Sequence, residues 1–127
     1  MQYIDNIEEA TLKNTSFRKV VHTGKYSQLV LMCLKPGEDI GEEVHENVDQ
    51  FFRFESGKGK VVANGVEYSV SDGFAIVIDA GTKHNIINTS LTEDLKLYTI
   101  YSPANHPDGT EHKTKEEAMK YEQEHHH

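Results

Sequence analysis

The sequence predicts an all-β domain, a sandwich or barrel of some seven or eight short strands. Stretches rich in β-branched and large apolar residues recur from Phe17 onward. Turn signals separate them at intervals of about eight to twelve residues, and no interior segment has helical periodicity.

Taken in order, residues 1–15 mix charged and short apolar groups without strict period, which supports only a short N-terminal strand or turn. Phe17–Val21 and Ser27–Leu34 read as strands, and Pro36-Gly37 ends the second. Gln50–Phe54 and Lys60–Ala63 follow, with Gly57-Lys58-Gly59 between them. Asn64-Gly65 is a strong two-residue hairpin signal, because both positions tolerate positive φ. Val66–Val70 alternates apolar and polar residues, as a strand with one wet face does. Ser71-Asp72-Gly73 turns the chain into Phe74–Ile78, and Ala80-Gly81 turns it into Lys83–Asn88. Leu95–Tyr101 is the last clear strand. Residues 102–115, with Pro103, Pro107 and Asp108-Gly109, read as a surface loop. Lys115–Glu124 has helical composition and few apolar residues, a surface helix.

Composition narrows the class. At 127 residues the chain has the size of one domain, with a single core. Hydrophobic residues at 36% and charged residues at 27% match an ordinary globular protein. No apolar run nears the roughly 18 residues that span a bilayer. The first residues lack a signal peptide's basic start and apolar stretch, which leads to the expectation of a cytoplasmic protein. Cys33 is the only cysteine, so no internal disulfide forms; its apolar surroundings (LVLMCL) mark it as a buried thiol. The formal net charge is -8 and the basic residues are scattered, which argues against nucleic acid and anionic membranes as partners and says nothing positive about a substrate. His125, His126 and His127 read as the remains of a purification tag, leaving His22, His45, His84, His106 and His112.

Two glycine-anchored segments carry the candidate chemistry. One runs Gly37-Glu38-Asp39-Ile40-Gly41-Glu42-Glu43-Val44-His45 and on through Gln50 to Gly57. The other runs Gly73-Phe74-Ala75-Ile76-Val77-Ile78-Asp79-Ala80-Gly81-Thr82-Lys83-His84 and ends at Asn88. Glu43 and His45 are two apart on a strand and so point to one face.

Together the segments resemble the paired signature motifs of the cupin superfamily, G-x5-H-x-H-x4-E-x6-G and G-x5-P-x-G-x2-H-x3-N, with every spacing kept. The likeness covers residues 29–101 and is of the small, single-domain, RmlC-like (cupin 2) type. His45, His84, Asn88 and the glycines match literally. Glu43 stands at the first metal-histidine position, Gln50 at the glutamate position and Asp79 at the second motif's proline.

The resemblance implies a double-stranded β-helix, or jelly-roll barrel, over one domain, residues 1–127. Residues 102–124 would form a C-terminal loop and helix. It implies one divalent metal ion held by Glu43, His45, Gln50 and His84. Two imidazoles, a carboxylate and an amide oxygen suit Zn, Fe, Mn, Ni or Co with little selectivity. Glu43 preserves the charge that the family's glutamate would carry, and Gln50 can instead hydrogen-bond a metal-bound water.

The likeness further implies a metal-dependent enzyme on a small sugar-derived or oxygenated acid, isomerase-like or dioxygenase-like. Glu43 and Tyr98 are the candidate catalytic groups, and mannose-6-phosphate isomerase-like chemistry is one variant. A non-catalytic ligand-binding or structural cupin is the alternative. His106 and His112 are read as incidental residues of a surface loop, or as groups brought over the barrel mouth. A homodimer paired through the outer sheet is expected from the family.

Overall fold

The structure, a computed structural model, describes residues 2–125. The tag reading of His126 and His127 lies outside the described residues.

Among the described residues eleven elements follow one another: α1 (Ile7–Lys13), β1 (Arg18–Thr23), β2 (Gln28–Leu34), β3 (Asp49–Ser56), β4 (Lys58–Ala63), β5 (Val66–Ser71), β6 (Ala75–Ile78), β7 (His84–Asn88), β8 (Leu95–Ser102), β9 (Glu111–His112) and α2 (Lys115–His125). The strands form two antiparallel sheets. The larger has the order β6-β3-β8-β2-β1-β9 and the smaller β5-β4-β7. A segment before β3 runs beside β7 through bridges at Asp39–Ile87 and Glu43–His84, which widens the smaller sheet.

The core lies between the sheets. Gln50, Phe52 and Phe54 of β3 face inward, as do Leu95, Leu97, Thr99 and Tyr101 of β8, and Val61 and Ile86 meet them from the smaller sheet. Phe52 and Phe54 are fully buried, each contributing on the order of 2 kcal/mol. This alternation separates two tyrosines. Tyr98 and Tyr101 are three residues apart, so they face opposite sides of β8. Tyr98 lies on the outer face, its ring 6.2 Å from that of Phe51, while Tyr101 is buried.

Three regions differ from the sequence expectation. The N-terminus forms α1 rather than a strand or turn. Asn6 caps it by accepting a hydrogen bond from the Glu9 backbone, Glu8 and Glu9 occupy the first turn, and Lys13 pairs with Glu9 one turn back. Lys96 of β8 then donates to the carbonyls of Leu12 and Asn14, docking the helix end on the outer face of the larger sheet. The segment read as a loop contains β9, which pairs with β1 and buries His112. Helix α2 is more than a surface helix, because Ala118 joins the core.

The motif glycines and Asn88 serve the turns. Asn88 donates to the carbonyls of Leu34, Lys35 and Glu93 and accepts from the backbone of Ser90, which pins two loops at the barrel end. Gly57 adopts φ +99° at a point where an added Cβ would lie 2.5 Å from the Asp94 carbonyl oxygen, whereas Gly73, at φ +89°, faces open space. Gly57→Ala therefore combines left-handed strain with a backbone collision and should cost about 2–4 kcal/mol. Gly73→Ala should cost only about 1–2 kcal/mol. Urea unfolding of the two variants checks the difference; equal losses would mean that the Asp94 loop yields freely.

Candidate metal centre

The local backbone aims three of the expected ligands at one point. Glu43 and His84 form an antiparallel pair with reciprocal hydrogen bonds, Glu43 N to His84 O at 2.8 Å and His84 N to Glu43 O at 2.9 Å. Paired residues place their side chains on the same face, and His45 lies two residues further along that face. The Gly81 backbone donates to the His45 carbonyl at 2.8 Å, which holds the two strands together beyond the pair.

The donor atoms converge. One atom from each of Glu43, His45 and His84 lies within 4.8 Å of the others, and His45 Nε2 is 3.7 Å from Glu43 Oε1. Ligand atoms at roughly 2.1 Å from a shared ion sit about 3–3.4 Å apart. The group is therefore slightly wider than a filled site, and small side-chain rotations would close it.

Hydrogen bonding leaves the right atoms free. His84 Nδ1 donates to the Thr82 carbonyl at 2.9 Å, so the proton sits on Nδ1 and the Nε2 lone pair points inward. His84 Nε2, His45 Nε2 and Gln50 Oε1 are all buried without a hydrogen-bond partner among the described residues. Thr99 fixes the orientation of Gln50. Its hydroxyl donates to the Phe51 carbonyl at 2.8 Å and can therefore only accept from Gln50, whose amide nitrogen lies 3.0 Å away. The amide oxygen must then face the other way. Buried acceptors rarely go unpaired, and three together fit a cation or its bound water. The residues thus fit a divalent metal: Glu43, His45 and His84 as ligands, and the Gln50 oxygen as a weak fourth ligand or a partner for bound water.

The electrostatics agree. Burial raises the pKa of Glu43, but His45 beside it, with Arg18 and His84 nearby, outweighs burial and leaves it below the ordinary carboxylate value. The group stays ionised and supplies the negative charge that a dication needs.

Tyr98 does not join this cluster. The tyrosine that does is Tyr101, whose ring meets His45 edge-on at 5.8 Å and which pairs across strands with Gln50. Burial pushes the Tyr101 hydroxyl well above the ordinary phenol value.

His106 is no incidental loop residue. Gln28, buried at the start of β2, accepts from the backbones of Asn105 and His106 and donates to the His106 carbonyl at 2.7 Å. This clamp brings His106 Nε2 to 3.2 Å from the Tyr101 hydroxyl. Burial, helped by the nearby charge of Arg18, pushes the His106 pKa down to about 3, so its ring is neutral near pH 7. The sequence carried half of this signal, since Tyr101 shares the parity of Leu95 and Leu97. The Gln28 clamp spans 78 residues and left no local trace.

The Cupin domain family matches residues 30–101, and the chain belongs to the cupin superfamily. It is 50% identical over 123 residues to the uncharacterized protein YrkC of Bacillus subtilis, a match that covers 92% of this chain and 66% of that protein. It is 49% identical over 110 residues to the uncharacterized protein L612 of Acanthamoeba polyphaga mimivirus, covering 84% and 69%. The chain thus spans about two thirds of the length of each of these relatives. Among solved structures, BH2720 of Bacillus halodurans superimposes with a TM-score of 0.92 at 44% identity, over 94% of this chain and 95% of that one. A predicted oxalate decarboxylase of Thermotoga maritima matches with a TM-score of 0.57 at 26% identity, over 61% and 66%.

A chain lacking residues 125–127 should bind close to one divalent ion, with zinc or cobalt raising its melting temperature. Saturation at about 100 times the dissociation constant adds roughly 2.7 kcal/mol. His45→Ala with His84→Ala should abolish both effects. Elemental analysis after dialysis and thermal melts read the result; equal metal content in variant and parent would dismiss the site.

Proposed function

We propose that this cupin is a metal-dependent enzyme acting on a small oxygenated or sugar-derived acid, with isomerase-like proton transfer favoured over dioxygenase-like chemistry. The observation that carries the reading is the convergence of Glu43, His45 and His84 with their buried lone pairs left open. A divalent ion there, one of Zn, Fe, Mn, Ni or Co, would supply Lewis acidity toward a carbonyl or hydroxyl.

The preference for proton transfer comes from the pair beside it. Tyr101 keeps its proton and His106 stays neutral, so one proton lies between the hydroxyl oxygen and Nε2. Held against His106, the Tyr101 hydroxyl can orient a bound substrate and hand it a proton as negative charge develops there, a contribution of about 10²–10⁴ in rate. His45 and Gln50 hold Tyr101 at the cluster, and Gln28 holds His106 against Tyr101.

The reading includes a homodimer paired through the outer face of the larger sheet, where Phe51, Tyr98 and Ile100 stay half-exposed and Val77 is 61% exposed. Light scattering on the purified chain tests the pairing.

The chemistry is tested by incubating metal-loaded protein with hydroxy acids and uronic acids in deuterium oxide and following exchange at carbon by NMR, with an oxygen electrode in parallel. Deuterium incorporation without oxygen uptake supports the isomerase-like reading, and oxygen uptake supports the dioxygenase-like one. Tight binding of an acid with neither response favours the non-catalytic cupin. On an acid that turns over, Tyr101→Phe should lower kcat by about 10²–10⁴ while metal content holds, whereas Tyr98→Phe on the outer face should change it little. A Tyr101→Phe chain with full kcat would remove the phenol from the mechanism.

A further inference from the structure

Strand β1 carries a cation into the barrel. Arg18 pairs with Met32 of β2 and faces the core, while its neighbour Lys19 is exposed. Arg18 is 2% exposed, and its Nε has no hydrogen-bond partner among the described residues. Its ion-pair contact is Glu122 Oε1 on α2 at 3.7 Å, too long for a hydrogen bond, and the Glu122 side chain is 58% exposed. A guanidinium withdrawn from water with so weak a counter-charge is costly to fold.

A second open nitrogen lies next to it. His112 of β9 pairs directly with Arg18, so both side chains share one face. His112 is 6% exposed, and its Nδ1 is also buried without a partner. Arg18 pairs with Met32, and Met32 pairs with Leu97 of β8, whose inward side also carries Tyr101, so the guanidinium lies on the same face of the larger sheet as the tyrosine beside the metal cluster.

We propose that Arg18 and His112 form the anion end of the substrate site, holding a carboxylate of a small acid whose other oxygens face Glu43, His45 and His84. The planar edge of a guanidinium offers two parallel N–H donors that match the two oxygens of a carboxylate, and the His112 nitrogen adds a third donor. A carboxylate also supplies the charge that Glu122 does not. The inference deepens the function proposed above and rests on it for the reacting end of the substrate only. The anion end stands on its own residues.

The test uses metal-stripped protein, so that the anion end is read without the metal. Melting temperature and calorimetric titration are measured with glycolate, malonate and galacturonate, with the neutral counterparts ethylene glycol and galactose, and with inorganic phosphate. At least one carboxylate should bind where its neutral counterpart does not. Arg18→Met should weaken that binding tenfold or more, Arg18→Lys should recover part of it, and Lys19→Met, which removes the same charge from the exposed face, should leave it unchanged. Without ligand, Arg18→Met should melt at or above the parent temperature, because an under-compensated buried charge has gone.

Failure of all three carboxylates, phosphate binding in their place, or carboxylate binding indifferent to Arg18→Met would each overturn the proposal. An Arg18→Met chain that melts well below the parent, or does not fold, would make Arg18 a structural cation and overturn it too. Loss of the metal site would leave these results intact, and a bound metal with no Arg18-dependent anion would defeat this inference alone.

Discussion

The reciprocal backbone pair between Glu43 and His84 sets the register on which the rest of the molecule depends. A slip of one residue would turn both Glu43 and His45 away from the interior, since side chains alternate with period two. Several contacts guard against that slip. Asn85 donates to Asp39 and accepts from the Gly41 backbone, and Lys115 of α2 pairs with the same Asp39. The C-terminal helix thus helps hold the ligand-bearing segment in place, although it lies beyond the family's matched region.

Stability and function occupy different parts of the interior. One part is dry and apolar, with Met32, Leu34, Phe54, Leu95 and Leu97 essentially inaccessible. Cys33 is buried as well, on the other face of β2, where desolvation raises its thiol pKa to about 11 and keeps it unreactive. The other part holds His45 Nε2, His84 Nε2, Gln50 Oε1, Arg18 Nε and His112 Nδ1, all buried without a hydrogen-bond partner among the described residues; Arg53 Nε and Glu55 Oε1 also lack one but form an ion pair at 3.4 Å. Each open group lowers the stability of the empty protein, and the apolar part must offset that loss.

The sequence disclosed the fold wherever the information was local. Strand composition, the Asn64-Gly65 hairpin and the spacing of the two motifs led to the barrel and to the histidines at 45 and 84. The N-terminal helix was also legible, in an Asn6 cap followed three residues later by Glu9, but seven residues with few apolar positions carry little periodicity. Tyr98, the candidate catalytic tyrosine, falls on the outer face by its parity with the inward Leu95 and Leu97, and Tyr101 is the tyrosine of β8 that faces inward. The partners of Arg18, Gln28, His106 and His112 were out of reach for another reason, even though one reading of the loop brought the two histidines over the barrel mouth. These partners come from strands or loops far along the chain, and only the assembled barrel makes an arginine on β1 face a histidine on β9.

The exchange of carboxylate and amide between positions 43 and 50 has a physical logic. Position 50 is 1% exposed, and its neighbour Thr99 has already committed its hydroxyl proton to the Phe51 carbonyl. A carboxylate at 50 would face an oxygen able only to accept, so it would lose a hydrogen bond and suffer full desolvation at once. An amide presents N–H to Thr99 and keeps a buried oxygen free of hydrogen bonds. The negative charge must then come from a less buried place on the same face. Glu43 meets that need, with a side chain 23% exposed and a backbone locked to His84. The two departures from the family pattern are therefore coupled through Thr99, and the charge that leaves position 50 is restored at position 43.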